Sequence, residues 1–515
     1  MVLDQLTAPA AFLPLVAALV LLGLVLVRRR GTKYTNLPAG PPSHWFSGTA
    51  LPASHPWRWL YDQSRQYGPL MTIWRGSSPT IVVSTVDACD FVLEKNARDT
   101  ADRPRQIMGD EIMSHNKRIL LVSHGDRWRR LRKALHAPLQ PQSARELRPL
   151  QEGIARSAAL DILRDPSRFQ DHIQSYAATL VVHMAYGRRG RAYYSDPEIR
   201  EVVEGSKRLG ITLRPGAFAI ESYPWLRYFP GYLKSTGVQK WADDELDLFV
   251  GALRDVKARL ASKQPVADCF AKYLLEHQRE FNLEDDEIAY LCGSVFGAGS
   301  DTSSSAITIC VMAAAVFPDQ AARVRAELDK VAGGRMPSFD ELDIESAPIL
   351  RAFIAESFRW RPVSSGGFQH KTTADIVYRG QLVPAGAAII PNHWAIHRDE
   401  AYYGPDVEAF NLDRWLDADG AFKTSMKHVQ FGMGRRVCPG QHVAHNSVLI
   451  NTAFMLWAFD IGHAVGNDGR PVPIDTLAFT NTANSHPLPF KAQFVPRHPN
   501  LEQLILDSGG EDIEE

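Results

Sequence analysis

Between Ile288 and Phe317 the chain runs thirty residues with one charge, Asp301, and this stretch restricts the possible folds more than any other. Ahead of it, Asn282-Leu283-Glu284-Asp285-Asp286-Glu287 supplies a cap residue and then acids for the positive end of a helix dipole. Pro318 marks the end. Thirty residues at 1.5 Å each make about 45 Å of helix. A helix apolar on every side must lie inside a large protein body or cross a membrane. Within it, Ala298-Gly299-Ser300-Asp301-Thr302-Ser303 is out of keeping. An acid, a glycine and a row of hydroxyls weaken a buried helix, and they can open its hydrogen-bond ladder and admit water. Three readings stay open at this point: a second membrane span, a helix with solvated hydroxyls, or a groove with a proton relay.

The remainder of the middle also reads helical. Leu70 to Trp74 and Thr80 to Ser84 read as a strand pair around Gly76-Ser77-Ser78-Pro79. Ile376 to Tyr378, Gln381 to Val383 and Ala387 to Ile390 read as short strands, with Gly380 and Gly386 at turns. The fold class expected is mainly α with small β-sheets (α+β). A net charge of −1 argues against nucleic acid as a partner. The five cysteines form no C-x-x-C pair and no zinc spacing, which fits a reducing compartment.

The N-terminus departs from this composition. Ala10 to Val27 carries no charge, and Arg28-Arg29-Arg30 comes immediately after it. Eighteen residues are about the lower limit for a span. Basic residues after the apolar run, not before it, favour a signal anchor over a cleaved signal and keep the rest of the chain cytosolic. The expected organisation is an anchor over 1–30, a proline-rich linker over 31–50 containing Leu37-Pro38-Ala39-Gly40-Pro41-Pro42, a catalytic domain over 51–500 and an acidic tail over 501–515.

Phe431-Gly432-Met433-Gly434-Arg435-Arg436-Val437-Cys438-Pro439-Gly440 places one cysteine just past a glycine-rich turn. A cysteine near glycines is commonly a buried, inert thiol. The spacing F-x-x-G-x-R-x-C-x-G, matched at Phe431, Gly434, Arg436, Cys438 and Gly440, is much rarer. It resembles the haem-binding signature of the cytochrome P-450 monooxygenases. The resemblance extends to three further elements in the same order as in that family. Trp128 and Arg132 in Asp126-Arg127-Trp128-Arg129-Arg130-Leu131-Arg132-Lys133 match its W-x-x-x-R helix. Ala298, Gly299, Asp301 and Thr302 match its A/G-G-x-D/E-T element. Glu356 and Arg359 match its E-x-x-R pair, with Arg414 as the expected third member. Val407 and Leu412 stand where the family's meander carries prolines.

The resemblance, over roughly residues 35 to 500, implies the cytochrome P-450 fold behind a single-pass anchor. It implies haem b (iron protoporphyrin IX) with Cys438 as the iron ligand, and Phe431, Gly434, Arg436, Gly440, Trp128, Arg132 and His370 around the cofactor. It implies that Thr302 steadies the oxygen under reduction while Asp301 brings protons through water. Glu356, Arg359 and Arg414 are implied to be structural. No G-x-G-x-x-G comes after a strand, so electrons are expected from a separate NADPH-cytochrome P-450 reductase, with cytochrome b5 as a further donor. The basic helix could receive such an acidic partner. The substrate expected is a lipophilic small molecule from the bilayer. The Pro224-Trp225-Leu226 and Ile396-His397-Arg398-Asp399 phrases resemble fungal microsomal members of secondary metabolism. The location implied is the endoplasmic reticulum membrane, with the catalytic domain cytosolic. The alternatives are a peroxide-dependent or dehydrating isomerase of the same fold, and a non-catalytic haem-binding membrane protein.

Overall fold

The structure is a computed structural model and describes residues 34–44 and 47–509. The expected anchor over 1–30 lies outside the described residues. Among those described, no single helix is long and apolar enough to cross a membrane. The chain divides into two compact units, one ending at Pro104 and resuming over Gly366–Ile396, the other comprising Arg105–Ser365 and the chain from His397 onward.

The first unit is built on a four-stranded sheet. β1 (Leu70–Arg75) and β2 (Ser78–Val83) form an antiparallel hairpin, with Ile73 opposite Thr80. The turn needs Gly76, whose φ of 53° lies in the left-handed region. β3 (His370–Lys371) sits at the other edge of this sheet. β4 (Ile376–Tyr378) and β5 (Gln381–Val383) make a separate hairpin. β6 (Ala388–Pro391) joins β2 in parallel, so the sheet order is β1-β2-β6-β3. Pro79 stands inside β2 and not in the turn. The parallel partner begins only at Thr80, so on that side no N–H is required of the proline.

Pro38 and Ala39, within the segment expected as a stiff spacer, are bonded to β1. Thr72 Oγ1 donates to Pro38 O at 2.7 Å, and Thr72 N donates to Ala39 O at 3.1 Å. The backbones lie so close that a Cβ on Gly40 would stand 1.9 Å from Thr72 O. At the other end, Leu501–Asp507 is a helix with Leu501 and Ile505 buried. The first unit thus takes in residues before the 51 boundary drawn from composition, and the second takes in residues after the 500 boundary.

In the second unit the uncharged stretch is one helix, Asp285–Val316, with most of its residues buried. Its cap is Glu284, not Asn282. Asn282 has a φ of 47°, outside the helical region, while Glu284 and Glu287 form a reciprocal capping box. The helix runs unbroken through Ala298–Ser303, and Thr302, Ser304 and Thr308 bond back within it. Thr302 Oγ1 donates to Ala298 O, Ser304 Oγ to Ser300 O and Thr308 Oγ1 to Ser304 O, each at 2.8 Å. Gly299 allows close packing: a Cβ there would stand 2.8 Å from Val181 Cγ2 on the helix Phe169–Tyr186. Gly293 matters more, because its Cβ would meet the Phe249 ring at 2.3 Å. The central helix also packs on Gln441–Ala458, Pro197–Thr212 and Val238–Ala261. β7 (Phe459–His463) and β8 (Ala492–Pro496) pair antiparallel at one side of this unit.

Candidate active site

The loop before Gln441–Ala458 is shaped by glycine. Gly432 and Gly434 take φ values of 74° and 62°, and Gly434–Arg436 closes a 3-10 turn. Cys438 N donates to Phe431 O at 2.8 Å, which ties the two ends of the motif together. Gly440 is the N-cap of the next helix and directs its N–H at the Cys438 sulfur. The thiol thus sits at the positive end of an eighteen-residue helix. Burial pushes it up, against the opposing pull of the Gly440 N–H and the Arg132 guanidinium. Behind the loop, the Phe431 ring lies 4.6 Å from His445 and meets Phe358 edge-on at 5.8 Å. Burial lowers His428 to about 4, and burial and its neighbours lower His445 to about 3, so both are neutral rings in this seat.

The basic helix Asp126–Leu139 contributes to the same place. Arg132 Nη2 donates to Val437 O at 2.7 Å, one residue from the cysteine. Arg436 Nη2 donates to Val122 O at 2.8 Å, and its guanidinium lies over the Trp128 ring at 4.5 Å. Asp126 does not cap this helix; Gly125 holds that position. The exposed basic face is largely used internally. Arg127 and Arg130 each reach Glu287 at 3.0 Å, Arg129 pairs with Asp126, and Lys133 pairs with Glu280 at 3.4 Å. The remaining candidate, His370, belongs to the first unit. It is buried in β3, with Nδ1 2.9 Å from Thr100 O.

These residues suit haem by their donor chemistry. Cys438 is a single soft anion-forming donor with an N–H on its sulfur and cations beside it. Among the described residues no three of His, Cys, Asp or Glu converge as a metal site. An iron at Cys438 would thus take its other ligands from a cofactor ring. Cys89, Cys292 and Cys310 are buried, Cys269 is half-buried, and none of the four is in a disulfide.

Along the buried central helix, one face is open at mid-length: Ala298 is exposed, and Val295 and Thr302 are half-exposed at helical spacing. Thr302 is therefore the hydroxyl facing this opening. Asp301 is turned elsewhere and fully engaged. Its Oδ1 lies 2.8 Å from His486 Nε2, and its Oδ2 accepts from Asn484 Nδ2 at 2.8 Å. Burial alone would raise its carboxyl, but His486 and Asn484 outweigh it and the net shift is downward. His486 shifts upward: burial lowers it, and Asp301 more than compensates. Gln174 is inserted from Phe169–Tyr186, accepting from Ser304 Oγ at 2.8 Å and donating to Ser300 O at 3.2 Å. Sequence reasoning missed His486 and Gln174, because each is remote in the chain and in no motif, and it placed Asn484 only within the stretch Ala478 to Asn484 expected near the substrate.

Glu356 and Arg359 lie on Pro348–Trp360 and are fully buried. Arg359 Nε and Nη2 hold the carboxylate at 2.7 and 2.8 Å, and the guanidinium also donates to the carbonyls of His397, Val407 and Ala409. Arg414 stands 3.5 Å from Glu356 and pairs more closely with Asp406, at 2.9 Å. The tighter meander contacts on Glu356 are the Trp415 indole N–H at 2.8 Å and Asn411 N at 2.9 Å.

An apolar cluster joins two stretches distant in the chain: Ile107, Met108, Met113 and Leu121 pack with Leu209 and Ile220. Glu221 secures it, accepting from Ile107 N and Met108 N at 3.1 and 2.7 Å. Trp225, Tyr228 and Phe229 beside it are exposed.

A family model for cytochrome P-450 matches residues 38–489. Cytochrome P-450 monooxygenase 88 of Postia placenta is 42% identical over 500 residues, covering 96% of this chain and 99% of the relative. A cytochrome P-450 monooxygenase of Armillaria gallica is 33% identical over 503 residues, covering 95% and 96%. One from Hypocrea virens is 31% identical over 482 residues, covering 91% and 86%.

Proposed function

The chain belongs to the cytochrome P-450 family and is a monooxygenase; from that premise we propose that Cys438 is the thiolate ligand of a b-type haem and that the enzyme oxidises a lipophilic small molecule, a secondary-metabolite intermediate. The observation that carries the first part is the setting of Cys438: a helix N-terminus, the Gly440 N–H on sulfur and Arg132 one residue away. Trp128, Arg132 and Arg436 supply the donors and positive charge that suit the cofactor's propionates. Bound there, haem supplies the activation of dioxygen. The protein's part is to fix Cys438 in place beside the Gly440 N–H and Arg132, present Thr302 on the open helix face and provide protons near Asp301.

The lipophilic substrate is inferred from the apolar cluster of Ile107, Met108, Leu209 and Ile220, where the Glu221 carboxylate is taken up by the Ile107 and Met108 N–H groups. Electrons come, in this reading, from a separate NADPH-dependent reductase, since no dinucleotide fingerprint occurs in the chain. Residues 1–30 anchor the enzyme to the endoplasmic reticulum membrane with the catalytic body on the cytosolic side. The exposed Trp225, Tyr228 and Phe229 suit contact with the same surface. Carbonate extraction of a variant lacking 1–30 tests the anchor; retention in the membrane pellet would remove that role from 1–30. A peroxide-dependent or dehydrating isomerase has no need of the proton-bearing Asp301–His486 pair.

The first experiment is a reduced carbon-monoxide difference spectrum of detergent-solubilised protein beside Cys438→Ala. The red-shifted Soret band is expected in the parent and not in the variant. The same band in both would refute ligation by Cys438.

A further inference from the structure

Asp301 is the acid that the family motif points to, yet its position does not suit it to exchange protons with water. Its side chain is 7% exposed, and both oxygens are occupied. His486, with 23% of its side chain accessible, is the more exposed partner of this carboxylate. It is held there by its own loop. His486 N donates to Thr480 Oγ1 at 3.0 Å, and Thr480 N donates to His486 O at 2.9 Å. The preceding residue is fastened on both sides: Ser485 N to Val363 O at 2.6 Å, and Ser485 O from Ser305 Oγ of the central helix at 3.0 Å. Asn484 is oriented by Ser364 Oγ, which donates to its Oδ1 at 2.9 Å, so that its amide N–H faces Asp301. A loop fixed at this many points for one imidazole–carboxylate contact is more than a filler of space.

We propose that His486 is the positioning residue that supplies Asp301 with protons. The imidazolium gives its Nε2 proton to Asp301 Oδ1 and becomes neutral. When Asp301 has passed that proton into the site, solvent reprotonates the ring. One proton crosses per cycle, both groups recover their charges, and no electrons move. Lys207 is the other charged group acting on the pair; it lowers both Asp301 and His486 and pairs with Glu204 at 3.6 Å. At rest, Asp301 favours the protonated imidazole beyond its ordinary range, which the short Oδ1–Nε2 contact of 2.8 Å accounts for. The inference rests on the monooxygenase reading.

The test uses the full-length holoenzyme reconstituted with a microsomal NADPH-dependent reductase and no added substrate. Two electrons and two protons reduce dioxygen to hydrogen peroxide; four of each reduce it to water. The ratio of peroxide released to NADPH oxidised therefore reads proton supply without knowledge of the substrate. His486→Gln retains a hydrogen bond to Asp301 without a transferable proton, and His486→Arg retains the charge without releasing the proton. A positioned proton carrier contributes about 100-fold or more, and water can replace part of it. The water-forming rate is therefore expected to fall about tenfold in both variants, with its pH dependence flattened. Recovery in His486→Arg would reduce His486 to a structural counter-ion and overturn the proposal, as would an unchanged ratio in His486→Gln. A second readout does not depend on turnover. In histidine-labelled ferric protein, the NMR resonance absent from His486→Gln should titrate above the ordinary imidazole value of about 6.5. It should move back toward that value in Asp301→Asn. Titration at or below 6.5 in the parent would also overturn it. If the parent itself lacked the red-shifted carbon-monoxide band, the haem-thiolate reading would be what had failed.

Discussion

Replacing Glu356 by Gln isolates the electrostatics of the most deeply buried ion pair in the second unit. Each group around this carboxylate is a donor: Arg359 Nε and Nη2, Asn411 N and the Trp415 indole, all at 2.7 to 2.9 Å. An amide of the same size must turn its NH2 toward two of them, which removes two hydrogen bonds and sets donors against donors. It also leaves Arg359, with no exposed surface, without its counter-ion. Breaking a buried pair from one side costs about 3–5 kcal/mol. The carbonyls of His397, Val407 and Ala409 still solvate the guanidinium, which places the expected cost near 3 kcal/mol. Against a total stability of about 5–15 kcal/mol, that is a large fraction. With a urea slope of about 3 kcal/mol per molar for a chain of this size, the midpoint should fall by roughly 1 M. Urea unfolding monitored by far-ultraviolet circular dichroism measures it. Trp415→Phe, which removes one donor and leaves the ion pair, should cost about 1 kcal/mol. A Glu356→Gln midpoint within 0.3 M (approximately 1 kcal/mol) of the parent, or no larger a loss than Trp415→Phe, would refute the view that the unpaired Arg359 charge sets the cost.

Gly293→Ala drives a methyl into the Phe249 ring and should cost about 1–3 kcal/mol in the same urea assay, largely restored by Phe249→Leu in the double variant. Glu221→Ala leaves the N–H groups of Ile107 and Met108 without their acceptor; hydrogen exchange over 107–112 should quicken by tenfold or more while the global midpoint changes little. The Asp301–His486 pair sets a pH window. The lowered Asp301 contributes stability above the unfolded carboxyl value of about 3.9, lost as pH falls through its folded value; the raised His486 contributes below about 6.5, lost as pH rises through its folded value. The stability difference between the parent and Asp301→Asn should therefore be greatest at roughly pH 4–6.5 and narrow on either side. A difference constant from pH 4 to 9 would mean that the two groups are not paired as ions.

Much of this protein is determined locally and can be read from the chain. The apolar run from Ile288 to Phe317 has no stable alternative to a buried or membrane-spanning helix, and it forms one from Asp285 to Val316. The strand runs at 70–74 and 80–84 and the short strands near 376, 381 and 388 arise from alternation, β-branched residues and glycine turns; the ends shift by a residue or two because pairing partners, not propensity, set them. The Cys438 loop is legible because its glycines are required by backbone geometry: positive φ at Gly432 and Gly434 cannot be moved elsewhere in the chain.

What only the tertiary structure decided are the contacts between distant segments, which have no period and no motif. The reason for Gly293 is visible only beside Phe249, and the partners of Glu356 include Trp415 and Asn411 because a meander of irregular backbone packs there. The basic helix read as a free cationic face, yet Glu287, Glu280, Asp126 and the Val437 carbonyl take most of its charges. Asp301 was identifiable from its neighbours in sequence, but its state was not: a carboxylate's proton affinity depends on what stands within about 4–6 Å. Here that is His486, 185 residues further along the chain.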